Sequence, residues 1–277
     1  MATQAEKATA FRALHHRDHA FLIPNPWDVG TARLLQMLGF EALATTSAGY
    51  AYSIGKPDGA VDRDTMLAHS AAMVAATDLP VSSDMENGYA DDPREVANTV
   101  RLAAATGLAG CSIEDVPSGR GGGPYELSHA AERVRAGVET AHSLPFPFTL
   151  TARAENYIVG HPDLRDTIAR LQAFQEAGAD VLFAPGLRTR EDISAVVSSV
   201  DRPVNVIMGL QGVQLSMAEL SNLGVKRVSV GSALSRAALG AFLRAAREMQ
   251  AHGTFTFAEE AEKYADLNAM FSPDNRN

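Results

Sequence analysis

Short runs of apolar and β-branched residues recur eight times along the chain, each followed by a longer stretch in which Ala and Leu return at helical spacing. The short runs predict strands at Ala20–Pro24, Ala42–Thr46, Pro80–Asp84, Gly110–Glu114, Phe148–Ala152, Asp180–Ala184, Pro203–Ile207 and Lys226–Val230. The longer stretches predict helices at Thr31–Leu38, Arg63–Ala76, Pro93–Thr106, His129–His142, Asp163–Ala177, Arg190–Ser198, Ser216–Leu223 and Ser232–His252. Gly39, Gly107, Gly178 and Gly224 each close a helical pattern just before a strand, where a left-handed cap is expected. The strands are apolar nearly throughout, as when both faces of a parallel sheet are covered, and the alternation implies right-handed crossovers.

Eight repeats predict an α/β fold closed into a (β/α)8 TIM-type barrel. An open doubly wound sheet competes, but it usually carries G-x-G-x-x-G after its first strand, and this chain has Asn25-Pro26-Trp27-Asp28 there. No linker or low-complexity segment interrupts the pattern, so residues 1–277 read as one barrel domain, with a core over 20–252 and a C-terminal helical extension over 254–277. In that extension an amphipathic helix is expected at Ala258–Phe271.

Composition narrows the function classes. Hydrophobic residues make up 46% of the chain and aromatics only 6%, so the core must be mainly Ala, Leu and Val. Twenty-four Lys and Arg against 33 Asp and Glu leave a net charge of −9, and no basic run appears, which argues against nucleic acid. Cys111 is the only cysteine, which excludes an intrachain disulfide and fits a reducing compartment. The N-terminal segment lacks the apolar core of a signal peptide, and no apolar run approaches the roughly 20 residues that cross a bilayer. A soluble, cytoplasmic protein without a membrane partner is expected.

In a barrel, chemistry collects at the C-terminal ends of the strands. Those ends carry Asn25 and Asp28, Thr46-Ser47-Ala48-Gly49, Asp84-Met85-Glu86, Glu114-Asp115, Arg153 with Glu155 and Asn156, Asn205, and Gly231-Ser232. Asp84 and Glu86, two apart, point to one side if the backbone is extended, and Glu114 ends the neighbouring strand. Three carboxylates without histidine or thiolate favour Mg²⁺ or Mn²⁺ over Zn²⁺. Arg153 can clamp a substrate carboxylate in two-point fashion, or simply neutralise Glu114 or Glu155. The Ser47-Ala48-Gly49 turn offers backbone N–H groups to a second carboxylate. Asp91 and Asp92, beside Pro93, read as helix-capping residues, Cys111 as a core residue, and the eight histidines as surface or packing residues. Gly119–Gly123 reads as a flexible lid.

Taken jointly, these segments resemble the isocitrate lyase/phosphoenolpyruvate mutase superfamily from Phe21 to Ser235. Ser83-Asp84-Met85-Glu86-Asn87-Gly88-Tyr89 is similar to its metal motif D-x-D-x-G-[YF]-G, Ser112-Ile113-Glu114-Asp115 to its I-E-D segment, and Thr151-Ala152-Arg153-Ala154-Glu155 to its A-R-[TV]-[DE] segment. Gly55-Lys56-Pro57-Asp58 corresponds to the loop with the family's active-site aspartate, and Ser47-Ala48-Gly49 resembles its oxo-acid-binding turn.

The resemblance implies Mg²⁺ on Asp84, with Glu86 and Glu114 often acting through water. It makes Asp58, Arg153 and Glu114 the catalytic candidates, and Ser47, Ala48, Gly49, Arg153 and Asn205 the substrate contacts. It also implies a homo-oligomer, a dimer or tetramer in which the terminal helix swaps between subunits. The implied activity is a lyase that binds a small anionic 2-oxo carboxylate and stabilises its enolate while a C–C bond breaks, on an oxaloacetate- or isocitrate-like acid. The alternatives are a phosphonopyruvate C–P enzyme and a non-catalytic 2-oxo acid sensor.

Two features depart from the pattern. Glu86 stands where the family usually has Asp, and the segment 116–125 (VPSGRGGGPY) lacks the K-[KR]-C-G-H of the lyase branch and the lysine and asparagine of the phosphonopyruvate branch. Tyr50, Tyr125 and Asp115 are then the remaining acid/base candidates, with Arg120 placed to close over an anion.

Overall fold

The computed structural model describes residues 2–117, 122–210, 212 and 214–272. Its strands are β1 (Phe21–Ile23), β2 (Leu43–Ala44), β3 (Val81–Asp84), β4 (Gly110–Glu114), β5 (Thr149–Arg153), β6 (Val181–Phe183), β7 (Val204–Ile207) and β8 (Arg227–Ser229). The helices are α1 (Gln4–Leu14), α2 (Val29–Met37), α3 (Ser47–Ser53), α4 (Arg63–Ala76), α5 (Pro93–Ala105), α6 (Leu127–His142), α7 (Leu164–Glu176), α8 (Arg190–Ser198), α9 (Met217–Asn222), α10 (Ala233–His252) and α11 (Tyr264–Met270).

All eight strands pair in parallel, in the order β1-β8-β7-β6-β5-β4-β3-β2. The seam between β1 and β2 is bridged where the Ala44 N–H donates to the Pro24 carbonyl (3.1 Å). Asn25 completes the closure. Its Nδ2 donates to the Thr45 carbonyl (3.1 Å), and its Oδ1 accepts from the N–H groups of Val230 and Gly231, both at 2.9 Å. The predicted (β/α)8 barrel is therefore present.

Strand alternation sorts the barrel wall into two faces. A Cβ added at Gly137 on α6 would lie 3.2 Å from Ile113 Cδ1, 3.3 Å from Leu150 Cδ2 and 3.4 Å from Val100 Cγ2. Ile113 and Leu150 therefore face α5 and α6, in a layer with buried Cys111 and Ala152. Ser112, Glu114, Thr151 and Arg153 alternate with them and point into the barrel, with Glu114 opposite Arg153 in the register. Each fully buried Leu or Phe of the outer layer, such as Leu171 and Phe174 on α7, contributes about 1.5–3 kcal/mol. Gly39, Gly107, Gly178 and Gly224 all take positive φ, as the helix-exit pattern predicts.

Three elements differ from expectation. Helix α1 is an addition, capped by a reciprocal box in which Thr3 and Glu6 satisfy each other's backbone N–H; Ala8, Phe11 and Leu14 bury its inner face. The segment read as the turn Ser47-Ala48-Gly49 is the first turn of α3, capped by Thr46. The terminal helix expected at Ala258–Phe271 is split into a 3-10 turn, Thr256–Glu259, and α11. Among the described residues no helix is long and apolar enough to cross a membrane.

Candidate active site

The C-terminal mouth of the barrel opens on a cavity of about 200 Å³, lined by Ser47, Ala48, Asp58, Asp84, Arg153 and Asn205 among others. Its centre is Arg153, at the end of β5. Nη1 donates to Asp84 Oδ1 (2.8 Å), Nε donates to Glu155 Oε1 (2.8 Å), and Nη2 lies 3.2 Å from Glu114 Oε2. The guanidinium also faces the Phe183 ring, 5.4 Å from its centroid. Carboxylates from the ends of β3 and β4 and from just beyond β5 thus meet on one cation. Asp84, Glu114 and Arg153 converge as predicted, and in this arrangement Arg153 neutralises acids rather than offering itself wholly to a ligand.

The electrostatics follow from burial and partners. Burial raises the Asp84 carboxyl, but Arg153, the O–H and N–H of Ser47 and the Glu86 N–H outweigh it and hold Asp84 below the ordinary aspartate value. The Glu155 carboxyl is pushed up by burial, against the pull of Arg153 and with the help of Asp115. Arg153 itself is held firmly protonated, because Glu155, Asp84 and Glu114 outweigh its burial. Asp115 is raised by burial, although it accepts from the Glu155 N–H (2.8 Å) and from Arg170 Nη1 (3.1 Å).

Ser47 is committed to this cluster. Its Oγ lies 2.8 Å from Asp84 Oδ2 and 3.3 Å from Asp58 Oδ1, and its N–H donates to Asp84 Oδ2 (3.3 Å). The Gly49 N–H is taken by the capping hydroxyl of Thr46 (3.3 Å). The segment is thus the first turn of a helix, with the Ser47 N–H directed to Asp84 and the Gly49 N–H to the cap. Gly49 is needed for packing, since a Cβ there would meet Thr46 Cγ2 at 2.6 Å.

Glu86 is corrected in geometry. Strand β3 ends at Asp84 and Glu86 takes φ +46°, so the two are not successive same-side residues of an extended strand. Its carbonyl accepts from the Glu114 N–H (2.9 Å), which ties this turn to β4. Among the described residues no group of three His, Cys, Asp or Glu side chains is arranged to hold a metal ion. The donor chemistry nonetheless suits a hard divalent cation: oxygen ligands only, and three carboxylates against one guanidinium.

The turn is held from behind by Arg133, buried on α6. It donates to the carbonyls of Glu114 (3.1 Å), Ala90 (2.8 Å) and Asn87, and stacks over the Tyr125 ring at 4.3 Å.

None of the three acid/base candidates lines the cavity. Tyr50 stacks on His69 at 3.8 Å, Tyr125 donates its O–H to Asp91, and Asp115 is bound by Arg170. Arg120, with Gly119 and Gly121 of the lid expected at Gly119–Gly123, lies outside the described residues. Asp28 and Asp92 are N-caps of α2 and α5, and Cys111 is a buried core residue. Asn205 donates to Ser229 Oγ (3.0 Å) and accepts from Arg227 Nε (2.9 Å). Arg227, which lines the deep end of the cavity, was not singled out from sequence, although strict alternation with Ser229 on β8 points it inward.

Comparison with known proteins identifies the family. The family described as phosphoenolpyruvate phosphomutase matches residues 11–250. The crystal structure of a putative lyase/mutase from Burkholderia cenocepacia J2315 is 61% identical, with a TM-score of 0.95 over 98% of each chain. The structure of 2,3-dimethylmalate lyase, a PEP mutase/isocitrate lyase superfamily member, is 27% identical, with a TM-score of 0.85 over 99% of this chain and 96% of that one. An oxaloacetate decarboxylase of Paraburkholderia xenovorans is 29% identical, over 80% of this chain and 74% of its own. The chain belongs to the phosphoenolpyruvate phosphomutase family, within the PEP mutase/isocitrate lyase superfamily of lyases and mutases acting on 2-oxo acids.

Proposed function

We propose that the protein is a Mg²⁺- or Mn²⁺-dependent lyase that cleaves a C–C bond in a small oxaloacetate- or isocitrate-like acid, with a 2-oxo carboxylate as substrate or product. The observation that carries this reading is the cluster of Asp84, Glu114 and Glu155 on Arg153 at the C-terminal mouth of the barrel. Asp84 would hold the cation, with Glu86 and Glu114 in its shell. The bound cation supplies Lewis-acid charge where the 2-oxo oxygen becomes anionic, worth several kcal/mol.

The chain's own residues do the rest. With Asp84 and Glu114 holding a cation, Arg153 would have donors for the substrate carboxylate, with Glu155 fixing the plane of its guanidinium. Ser47 links Asp58 to Asp84 and holds both carboxylates in register. Asn205 turns its amide N–H towards Ser229 on the neighbouring strand and would orient the other end of the substrate. The oxaloacetate decarboxylase relative acts, by its name, on a 2-oxo diacid and the 2,3-dimethylmalate lyase on a 2-hydroxy diacid, which supports a small diacid of one of these kinds as the substrate here.

A homo-oligomer, dimer or tetramer, accords with the exposed apolar residues Leu239, Phe242 and Leu243 on α10 and Phe255 and Tyr264 beyond it. A buried lone cysteine accords with a cytoplasmic setting.

Steady-state assays on oxaloacetate, isocitrate, methylisocitrate and phosphonopyruvate, with Mg²⁺ and with EDTA, test the reaction. Metal-dependent turnover of one of the first three is expected. Turnover of phosphonopyruvate alone, or saturable binding with no turnover, would replace this reading with C–P chemistry or with a sensor. Asp84→Ala should remove both activity and Mg²⁺ affinity; if neither changes, the metal site is wrong.

A further inference from the structure

The barrel interior beneath the mouth holds a second arginine, which no carboxylate among the described residues pairs with. Arg227 opens β8, is 5% exposed and lines the deep end of the same cavity. Nε donates to Asn205 Oδ1 (2.9 Å) and Nη2 to Thr151 Oγ1 (3.0 Å), while Nη1 lies 3.4 Å from His15 Nε2. The histidine is neutral and its tautomer is fixed. His15 Nδ1 lies 2.9 Å from the Phe11 carbonyl, which can only accept, so Nδ1 carries the proton and Nε2 faces Arg227 as an acceptor. Burial and then the Arg227 charge push the His15 pKa down to about 3.

All three partners of Arg227 are therefore uncharged, and among the described residues it forms no ion pair. A guanidinium has five N–H groups, so two remain for a ligand. Burial and the charge of Arg153 lower its pKa to about 9, so it stays protonated at neutral pH. A buried cation without a counter-charge is costly, and an anion relieves that cost. The two arginines of the cavity thus differ: Arg153 already meets three carboxylates, whereas Arg227 meets none.

The space above Arg227 suits a small anion. Inward positions of a barrel are usually filled by bulky branched side chains in layers. Here the lining at depth includes Ala44, Ser82, Ser112 and Ser229, which leave room and supply hydroxyls.

We propose that the deep end of the cavity is an anion subsite in which Arg227, with Asn205 and Ser229, receives a second carboxylate of the ligand. Arg227 then selects dicarboxylates over monocarboxylates. The selection rests on the 2-oxo acid reading above, but the anion subsite itself does not require it.

The test separates the two. Succinate and propionate, which lack a 2-oxo group, are titrated calorimetrically into the wild-type protein with Mg²⁺, so that Arg153 at the mouth is available to the carboxylate the two acids share and only succinate has a second one for Arg227. Succinate should bind more tightly. Arg227→Met should weaken succinate about 10- to 100-fold, the scale of losing a charged hydrogen-bond pair, and leave propionate within about twofold. Arg227→Lys should restore part of the succinate affinity. A merely structural arginine would lower both acids equally. Should Arg227→Met fail to fold, wild-type crystals soaked in sodium bromide give the answer directly: an anomalous peak against the Arg227 guanidinium is expected. Equal binding of the two acids together with no bromide at Arg227 overturns the subsite. Succinate and bromide binding at Arg227 in a protein that shows no metal-dependent turnover would uphold the subsite while the lyase reading fails.

Discussion

Replacing Arg153 by Met removes the cation on which three buried carboxylates converge and keeps most of the apolar stem. Asp84, Glu114 and Glu155 lose contacts of 2.8, 3.2 and 2.8 Å in a site where the Arg153 side chain is only 13% exposed. Removing one partner of a buried ion pair costs about 3–5 kcal/mol, because the remaining charge stays desolvated. At about 2–4 °C of melting temperature per kcal/mol for a chain of this size, the loss is about 6–20 °C. The pH dependence has a definite sign. In the wild type the Asp84 carboxyl is held low, so its contribution is complete above the unfolded value near 3.9 and is lost as pH falls through the folded value. In Arg153→Met, burial acts without its counter-charge and raises the carboxyls above their unfolded values. The penalty is then full at high pH and fades as they protonate. Thermal unfolding followed by circular dichroism in EDTA, at pH 8 and pH 5, reads both effects. The gap between variant and wild type should be widest at pH 8 and should narrow at pH 5. A gap that does not change with pH, or one below about 2 °C throughout, would refute the hub.

The packing makes further demands. Gly110→Ala would set a Cβ against the Thr149 carbonyl oxygen on β5, a backbone atom that cannot move without parting β4 from β5, so a loss of at least about 3 kcal/mol and low soluble yield are expected. Arg133→Met leaves the carbonyls of Glu114, Asn87 and Ala90 without their donor; a loss of about 3 kcal/mol should appear as a melting temperature lower by about 6–12 °C, with faster amide exchange across residues 85–90. His69 is stacked on Tyr50, and burial pushes its pKa down to about 4. Below its unfolded value near 6.5 the unfolded chain takes up a proton that the folded one refuses, which removes up to about 1.4 kcal/mol per pH unit. His69→Phe should therefore flatten the fall in melting temperature between pH 6.5 and 4; an unchanged slope would place the histidine's proton uptake elsewhere.

The barrel was legible because its signals are local and repeated. Apolar runs, helical spacing and four exit glycines each report on a few neighbouring residues, and eight concordant copies leave little room for another topology. Strand ends were legible for the same reason, which is why Asp84, Glu114 and Arg153 were found together. What escaped detection depends on partners distant in sequence or on backbone geometry. Glu86 looked like a same-side neighbour of Asp84 because period two was carried past the end of β3, where the chain turns left-handed. The Ser47 segment looked like a turn because its small residues hid the helix that Thr46 caps. Helix α1 did carry a readable sign, Thr3 followed three residues later by Glu6.

Arg227 is the instructive omission. In the sequence it follows Lys226, whose ammonium donates to the Arg17 carbonyl, and the two basic residues read alike as a polar strand start. Alternation alone sends Lys226 outward and Arg227 inward, to neutral partners contributed by β5, β7 and the end of α1. Neither the absence of a carboxylate beside it nor the room above it can be deduced from one strand, since both are properties of the whole ring of staves. In the closed barrel excess negative charge gathers at the mouth, where a divalent cation would balance it, and unmatched positive charge lies below. That vertical separation would orient an incoming diacid before any side chain moves, one anionic group drawn down to Arg227 while the reacting end stays at the mouth with Asp84 and Arg153.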